Sequence, residues 1–400
     1  MLVRRFLQWV RTAPAGERAD ATGALARAYL FSDLSADDRA AAEGAMLMLL
    51  DDASPLVRRA LADALAASPN APPTVIHALA ADQPQIAAPI LALSPLFVDA
   101  DLVDAVATGS PEVQAAIASR AALPRAVAAA IAEVGTAEAC LILLENQDAD
   151  VTPFSIDRVA ERYGHLAAIR EPLLARDDLS AATRYTLVTK LSQALADFVT
   201  GRAWLDADNA LRITREACEK VTVALAAENP DGEVRRLIRH LRESGQLTAG
   251  LILRALLSGN VVLFEQALAE LADLPVARVA GLVSDGSFSG LRALFEKAGL
   301  PVSTYPAFKE AIEAMREGGF AVEPGGAARL KRRMIERVLT RCENDEFGEL
   351  APLITLLHRF ATEAARDEAR LFCDELATED ELTAEHDSED FDAEPESVAA

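Results

Sequence analysis

The sequence is poor in the patterns that build β-sheets, disulfide frameworks and membrane spans. Aromatic residues make up 5% of the chain, and no stretch alternates Val, Ile, Thr and Tyr with polar residues as a half-buried strand does. The four cysteines stand far apart without a C-x-x-C pair, so we expect reduced thiols in a cytoplasmic protein. No run approaches the ~18 apolar residues that cross a bilayer. These absences disfavour sheet-based, disulfide-stapled and membrane-spanning folds.

The motifs of common catalytic and cofactor sites are also missing. The chain has no P-loop, no dinucleotide-binding G-x-G-x-x-G after a strand and no G-x-S-x-G nucleophile elbow. None of the five histidines is paired at helical spacing with another histidine, a cysteine or a suitable carboxylate cluster. We therefore predict no catalytic residue, no cofactor and no metal, and a protein that is not an enzyme.

Helix-forming residues dominate, and they repeat. The chain is 51% hydrophobic, mostly Ala and Leu, which with Glu and Arg have high helix propensity. Four apolar anchors, separated by 29, 27 and 27 residues, follow short polar lead-ins such as Gly109-Ser-Pro-Glu-Val113. The anchors and the apolar residues one helical turn later are Val57 with Leu61, Ile86 with Ile90, Val113 with Ile117, and Cys140 with Leu144. This periodicity predicts one buried face on each helix.

A second array repeats every 27 residues further along the chain. Its lead-ins are Asp231-Gly, Ser258-Gly and Asp285-Gly, which we expect to end one helix and open the next turn. Its anchors, each with apolar residues at i+3 and i+7, are Val234 with Leu237 and Leu241, Val261 with Phe264 and Leu268, and Phe288 with Leu291 and Phe295. The shared spacing predicts three structurally equivalent helices.

The lead-ins and the spacing together predict helical hairpins. Ser54-Pro55 and Ser110-Pro111 place a side-chain acceptor at the N-cap and a proline at the first helical position. Between anchored helices there is room for one more short helix. A hairpin of ~27 residues cannot bury both faces alone, so neighbours must stack. We predict an all-α, HEAT-like α-solenoid with a central connecting helical bundle and a disordered acidic C-terminal tail.

The predicted organisation has five parts. They are an N-terminal repeat array over 1–150, a connecting bundle over 151–228, a second array over 229–304, C-terminal helices over 305–374 and a tail over 375–400. From Asp374 to Ser397 the chain has twelve Asp or Glu residues and no Lys or Arg, and this charge is about half of the net charge of −23. An acidic chain is repelled by phosphate backbones, so nonspecific nucleic-acid binding is disfavoured.

One stretch resembles a known family. Ser94-Pro-Leu-Phe97, Arg120, Leu123-Pro124 and Leu143-Leu-Glu-Asn146 are similar to an uncharacterised bacterial family, domain of unknown function 2336. The resemblance covers roughly the first half to two thirds of the chain. It implies helical repeats in a bacterial cytosolic protein and brings no activity, substrate or cofactor. Arg120 and Asn146 match polar positions of that pattern, and we expect them to cap helices or to bond between adjacent repeats.

Two basic stripes are the candidate partner-binding residues. One consists of Arg235, Arg239 and Arg242, and the other of Arg329, Arg333, Arg337 and Arg341. Each set falls on one face of a helix, which is typical of the solvated side of an amphipathic helix and also suits an acidic partner. One such partner is built in, because the acidic tail could fold back on the helix from Arg329 to Arg341.

Three functions remain open at this point. The first is a non-enzymatic interaction scaffold or regulatory adaptor that binds a protein partner. The second is a HEAT-like nucleic-acid-binding or base-repair protein that uses the arginine stripes, which the acidic balance and the few aromatic residues disfavour. The third is a small-ligand sensor around four residues of the connecting bundle, Tyr163, His165, Tyr185 and Trp204.

Overall fold

The structure, a computed structural model, describes residues 9–10, 12–284, 288–318, 326–343, 353–370 and 372–373. Every regular element within these ranges is a helix, so the predicted all-α class is confirmed. The chain forms two compact units, Met1–Ala194 and Leu195–Ala400. The boundary between the units falls inside the predicted connecting bundle, and the predicted acidic tail lies outside the described residues.

The first unit is built from short helices. Within its described residues these are α1 (Ala15–Phe31), α2 (Ala36–Leu49), α3 (Pro55–Leu65), α4 (Pro73–Ala80), α5 (Pro84–Leu93), α6 (Asp99–Thr108), α7 (Pro111–Ala118), α8 (Arg125–Val134), α9 (Ala137–Glu145), α10 (Pro153–Tyr163), α11 (Ala167–Leu174) and most of α12 (Ala181–Gly201). α1, α3, α5, α7, α9 and α11 pack one on the next, and α6, α8 and α10 form a second row. Stacking in sequence order, with each helix touching its near neighbours, is the packing of an α-solenoid.

The predicted anchors of the first array are buried. Val57, Ile86, Val113 and Cys140 are at most 7% exposed. The last three belong to two apolar clusters of this unit. The follower Leu144 packs against the cluster but is only partly buried, whereas Leu143 is the residue of α9 that is fully buried with Cys140. Because a helical turn has 3.6 residues, both i+3 and i+4 border the buried face, and packing decides between them.

The helix starts predicted at Pro55 and Pro111 are confirmed, but the side-chain caps predicted at Ser54 and Ser110 are wrong, and Asp231-Gly lies inside the first turn of α14 and not between helices. Ser54 and Ser110 stand at N-caps followed by proline, yet neither side chain accepts a hydrogen bond from its helix. Proline presets the backbone φ for the first turn, so these helices begin without that bond. Side-chain caps form elsewhere, as where Thr136 accepts from the backbone N–H of Ala139.

The second unit contains longer helices as well as short ones. Its described elements are the end of α12, α13 (Ala207–Glu228), α14 (Asp231–Glu243), α15 (Ala249–Leu257), α16 (Val261–Ala272), α17 (Val276–Ser284), α18 (Phe288–Lys297), a 3-10 turn (Val302–Thr304), α19 (Tyr305–Gly318), α20 (Gly326–Glu343) and α21 (353–370). α14, α16 and α18 pack in sequence order, as do α13, α15 and α19. No helix in the described part of the chain is long and apolar enough to cross a membrane.

Only one of the three anchors of the second array is fully buried. Val234 is fully buried, whereas Val261 is half-buried and Phe288 is 41% exposed. The reason is register: Val234 is the fourth residue of α14, but Val261 and Phe288 are the first residues of α16 and α18. Phe264, three residues after Val261, and Phe295, seven residues after Phe288, fill the core instead. The predicted Asp285-Gly turn lies outside the described residues.

Candidate functional site

The predicted arginines of α14 lie beside a cavity in the second unit. One face of α14 is buried and apolar, and the other exposes Arg235, Arg239 and Arg242. Because these positions are four and three residues apart, the guanidinium groups leave the same side of the helix. Arg235 and Arg242 line a cavity of about 510 Å³ together with α16 and the loop that follows it. The structure thus places two of the three predicted residues on one concave surface.

The rim of this cavity carries both signs of charge. Nη1 of Arg242 donates to the backbone oxygen and to Oε1 of Glu270, at 2.9 Å each, which orients the Arg242 side chain. Asp273 caps the C-terminal end of α16 in a left-handed conformation, with φ of 50°, and lines the same cavity. Arg235, which lines the cavity with these groups, is exposed, and Arg239 is exposed one helical turn further along α14. The rim can therefore bind an anionic group and orient it between acidic neighbours.

A buried polar side chain also lines the cavity, and the sequence analysis missed it. Gln266 of α16 is 5% exposed, and its Oε1 is buried without a hydrogen-bond partner. The other buried residues of α16 are apolar. Buried amide groups in folded proteins are nearly always paired, so an unpaired one calls for an explanation. The only signal in the sequence was a glutamine on an otherwise apolar face.

The second predicted stripe lies on α20. Arg333 and Arg341 are exposed and Arg337 is half-buried, while the side chain of Arg329 lies outside the described part of the chain. Nε of Arg341 lies 3.5 Å from Oε2 of Glu310. This arginine is already paired within its own unit, which leaves less of its charge for a partner.

Other cations of α20 are paired in the same way. Nε of Arg332 donates to Glu336 at 2.8 Å, and its Nη1 donates to Glu368 at 3.0 Å. Nζ of Lys331 lies 3.7 Å from Asp367. Acidic side chains of α20 and α21 thus neutralise much of this helix. The predicted masking by the acidic tail lies outside the described residues and stays a prediction.

Arg120 and Asn146 both bond to carbonyl groups of preceding repeats. Arg120 donates from Nη1 to the oxygen of Leu91 at 2.5 Å and from Nη2 to that of Ser94 at 2.8 Å, at the end of α5. Nδ2 of Asn146 donates to the oxygens of Ala118 and Arg120, each at 2.8 Å, at the end of α7. The last carbonyls of a helix lack intrahelical donors, so these side chains supply them. Burial lowers the pKa of the Arg120 guanidinium.

Arg162 repeats this arrangement in the other row of helices. It donates to the oxygens of Ala132 and Gly135 at 2.7 and 2.8 Å, at the end of α8. The hydroxyl of Tyr163 donates to the same Gly135 oxygen at 2.9 Å. Arg162 was not singled out from the sequence, because its partners are backbone atoms that carry no residue signature.

The four residues of the predicted ligand sensor occupy unlike surroundings. Tyr163 bonds to the backbone, His165 is exposed, and Tyr185 is 4% exposed in the first unit. Trp204, in the second unit, is 63% exposed, and its ring lies 5.8 Å from that of Phe198. Within the described ranges, no group of three or more His, Cys, Asp or Glu residues is placed to hold a metal ion.

A buried ionic cluster in the second unit joins four helices. The side chain of Arg254 on α15 is 5% exposed. Its Nη1 donates to Glu363 of α21 at 2.5 Å, and its Nε donates to Glu219 of α13 at 3.3 Å. The guanidinium carbon lies 4.3 Å from the ring centre of Phe360. The fourth helix is α20, whose Lys331 interacts with Glu363 and with Asp367, another carboxylate of α21.

Burial shifts the titration of two members of this cluster. The pKa of Glu219 is raised from 4.5, because burial disfavours the carboxylate more than Arg254 stabilises it. The pKa of Lys331 is lowered from 10.5 by burial, against the opposing effect of Glu363 and Asp367. Perturbed groups of this kind occur at functional sites and also in structural ion-pair networks.

A second cavity, of about 570 Å³, lies beside this cluster between α13 and α21. Its charged groups pair with each other: Arg359 donates to Glu216 at 3.0 Å, and Lys220 donates to Asp367 at 3.0 Å. The groups that meet here are more than a hundred residues apart in the chain, so no local motif announces them. Mutual pairing favours a structural role for this cluster, and the α14 cavity is the better binding candidate.

The cysteines differ sharply in environment, which predicts their reactivity. Cys140 is buried, and burial raises the pKa of its thiol to about 11, whereas Cys373 is exposed. Because the thiolate is the reactive form, we expect iodoacetamide at pH 8 to alkylate Cys373 at least about tenfold faster than Cys140. Peptide mass mapping over time measures both rates in one sample. A urea-treated sample, in which Cys140 is exposed, is the control for its reactivity. Equal alkylation rates of Cys140 and Cys373 in the folded protein would contradict this assignment.

Comparisons with known proteins place the chain in a family. No curated protein and no solved structure matched it. A family model described as an uncharacterised protein conserved in bacteria matched residues 86–346, which begins and ends later than the stretch expected from the sequence. The match includes α14, α16 and the cavity between them. Since this model covers well over half of the chain, the protein belongs to the bacterial family of domain of unknown function 2336.

Proposed function

We propose that this protein is a non-enzymatic interaction scaffold of the bacterial cytoplasm, which binds an acidic segment of a partner protein on the exposed face of α14. The observation that carries the proposal is the placement of Arg235, Arg239 and Arg242 on one exposed face of α14, where Arg235 and Arg242 line a cavity. Stacked helices present such faces on a rigid support, because each helix is held by its neighbours. The partner's carboxylates would pair with Arg235 and Arg239, because Arg242 already donates to Glu270.

Charge favours a protein segment over a nucleic acid as the partner. Glu270 and Asp273 line the same cavity as Arg235 and Arg242, and the whole chain has a net charge of −23. A continuous phosphate backbone would be repelled by these carboxylates. A peptide avoids this repulsion, because its own carboxylates can be confined to the positions that face the arginines. Nucleic-acid binding is therefore an alternative outcome of the test.

Charge reversal on α14 tests the proposal. We expect the full chain to bind a fluorescent peptide of Glu alternating with Ser and Gly, and not its Gln counterpart. Arg235→Glu/Arg239→Glu should weaken this binding at least about tenfold, because two attractions become repulsions and exposed pairs contribute about 0.2–1 kcal/mol each. Fluorescence anisotropy at 50 and 150 mM salt measures the affinity, which should fall with salt.

A matched variant controls for net charge. Arg236→Glu/Arg292→Glu makes the same change in charge at exposed residues of α14 and α18, whose partners are Glu233 and Glu296 in their own helices. This control should bind the peptide as the wild type does. If both variants bind the peptide equally weakly, overall charge is the cause of the effect and the proposal is wrong. Tighter binding of a DNA duplex than of the peptide would support the nucleic-acid alternative instead.

A further inference from the structure

Gln266 is placed where a ligand on α14 would meet it. It lies on α16 and lines the same cavity as Arg235 and Arg242. The side chain is 5% exposed, and Oε1 has no hydrogen-bond partner. Its immediate neighbours in α16 that are buried are apolar, so a Leu or Met of similar size would suit the position without leaving a polar atom unpaired. The amide is therefore costly to the free protein.

We propose that Gln266 recognises the backbone of an extended, acidic partner segment by accepting one of its N–H groups. This inference rests on the proposed function and names the form of its ligand. An amide oxygen only accepts hydrogen bonds, so the missing partner must be a donor. One of the two arginines that line the cavity is already engaged, because Arg242 donates to Glu270. A partner's backbone supplies an N–H at every residue except proline.

The spacing of the arginines favours an extended segment. Arg235 and Arg239 are four residues apart on a helix, which puts their side chains roughly 6 Å apart. In an extended chain, side chains on the same side are two residues and about 6.6 Å apart. Acidic residues at alternate positions therefore match the two arginines. A helical partner would also match the spacing, but its backbone N–H groups are already bonded within the helix.

The test combines stability and binding in one variant. Gln266→Met should raise the thermal unfolding temperature of the full chain, because it removes a buried unpaired amide. The same variant should bind the Glu-alternating peptide about threefold to tenfold more weakly, which is the loss of one hydrogen bond. Gln246→Met, at an exposed glutamine after α14, is the matched control and should change neither quantity.

A modified peptide isolates the hydrogen bond itself. Methylating the backbone nitrogen between two Glu residues removes one donor and should weaken binding to the wild type but not further weaken binding to the Gln266→Met variant. If the variant is less stable than the wild type, the amide has a structural role and the inference is wrong. It is also wrong if the variant binds the peptide as tightly as the wild type, or if methylation weakens binding to the wild type and to the variant equally. In either case the proposed function still stands, provided that Arg235→Glu/Arg239→Glu weakens binding. If the wild type does not bind the acidic peptide, both the function and the inference are wrong.

Discussion

Replacement of Arg254 by methionine is expected to destabilise the second unit by about 3–5 kcal/mol, the usual cost of removing one partner from a buried ion pair. The guanidinium lies between Glu219 and Glu363 and over the ring of Phe360. Methionine keeps most of the apolar contact but removes the guanidinium that joins Glu219 to Glu363, and Glu363 keeps only the more distant Lys220, at 3.6 Å, and Lys331. Amide hydrogen exchange of peptides from α13 to α16, read by mass spectrometry, measures the loss of protection.

An exposed ion pair provides the control for Arg254. Arg292 pairs with Glu296 at 3.0 Å, and both side chains are more than half exposed. Arg292→Met should therefore cost only about 0.3–0.5 kcal/mol, as exposed pairs one turn apart on a helix do. Similar losses in the two variants would mean that burial does not strengthen the Arg254 contacts.

The loss at Arg254 should depend on pH. The pKa of Glu219 is already raised from 4.5 by burial, and removing Arg254 raises it further in the folded state. A carboxyl with a raised folded-state pKa contributes stability that is fully present below its unfolded value and is lost as the pH rises through the folded value. The deficit of the variant should therefore be largest near pH 7 and shrink towards pH 4.5. A constant deficit over this range would show that packing, not charge, is the cause.

Replacement of Arg120 by methionine is expected to destabilise the first unit by about 3 kcal/mol. Arg120 makes two charged hydrogen bonds, to the oxygens of Leu91 and Ser94, and each such bond contributes about 1.5–3 kcal/mol. Without them, two carbonyls at the end of α5 lose their donors. Hydrogen exchange of peptides covering α5 and α7, compared with those of the second unit, locates the effect.

A neighbouring arginine distinguishes this role from general charge. Arg125 of α8 pairs with Asp150 at 3.1 Å, but the two side chains are 69% and 55% exposed. Arg125→Met should change the stability by at most about 0.5 kcal/mol. A third variant, Arg162→Met, should resemble Arg120→Met, because Arg162 bonds to two carbonyls at the end of α8. An Arg120→Met protein as stable as the Arg125→Met protein would refute the assigned role.

Most of the helical framework could be predicted because it depends on local periodicity. Residues such as Val57, Ile117 and Leu268 stand at fixed intervals in the chain and are fully buried in the structure. A helix places such residues on one side whatever lies opposite, so the buried face follows from spacing. The errors occurred where spacing leaves a choice. Leu143 and Leu144 both border the buried face of α9, and Phe288 stands at the first residue of its helix.

The candidate site could be predicted only in part. Arg235, Arg239 and Arg242 share a helical face, which the sequence displays directly. Gln266 could not be predicted, because its burial depends on how α16 packs beside α14. The buried ion pairs of Arg254 could not be predicted either, since its partners Glu219 and Glu363 are 35 and 109 residues away. A charged residue looks alike in sequence whether it ends in water or in a core.

By itself, the sequence determined that this chain is helical, where most helices begin, and which faces are apolar, because propensity, proline placement and periodicity act within a few residues. The tertiary structure alone decided which polar groups are buried and what they meet. Arg120 and Arg162 bind carbonyl groups of earlier helices, and Gln266 lies unpaired beside the α14 arginines. Burial and pairing arise between helices that are distant in the chain, so no local pattern specifies them.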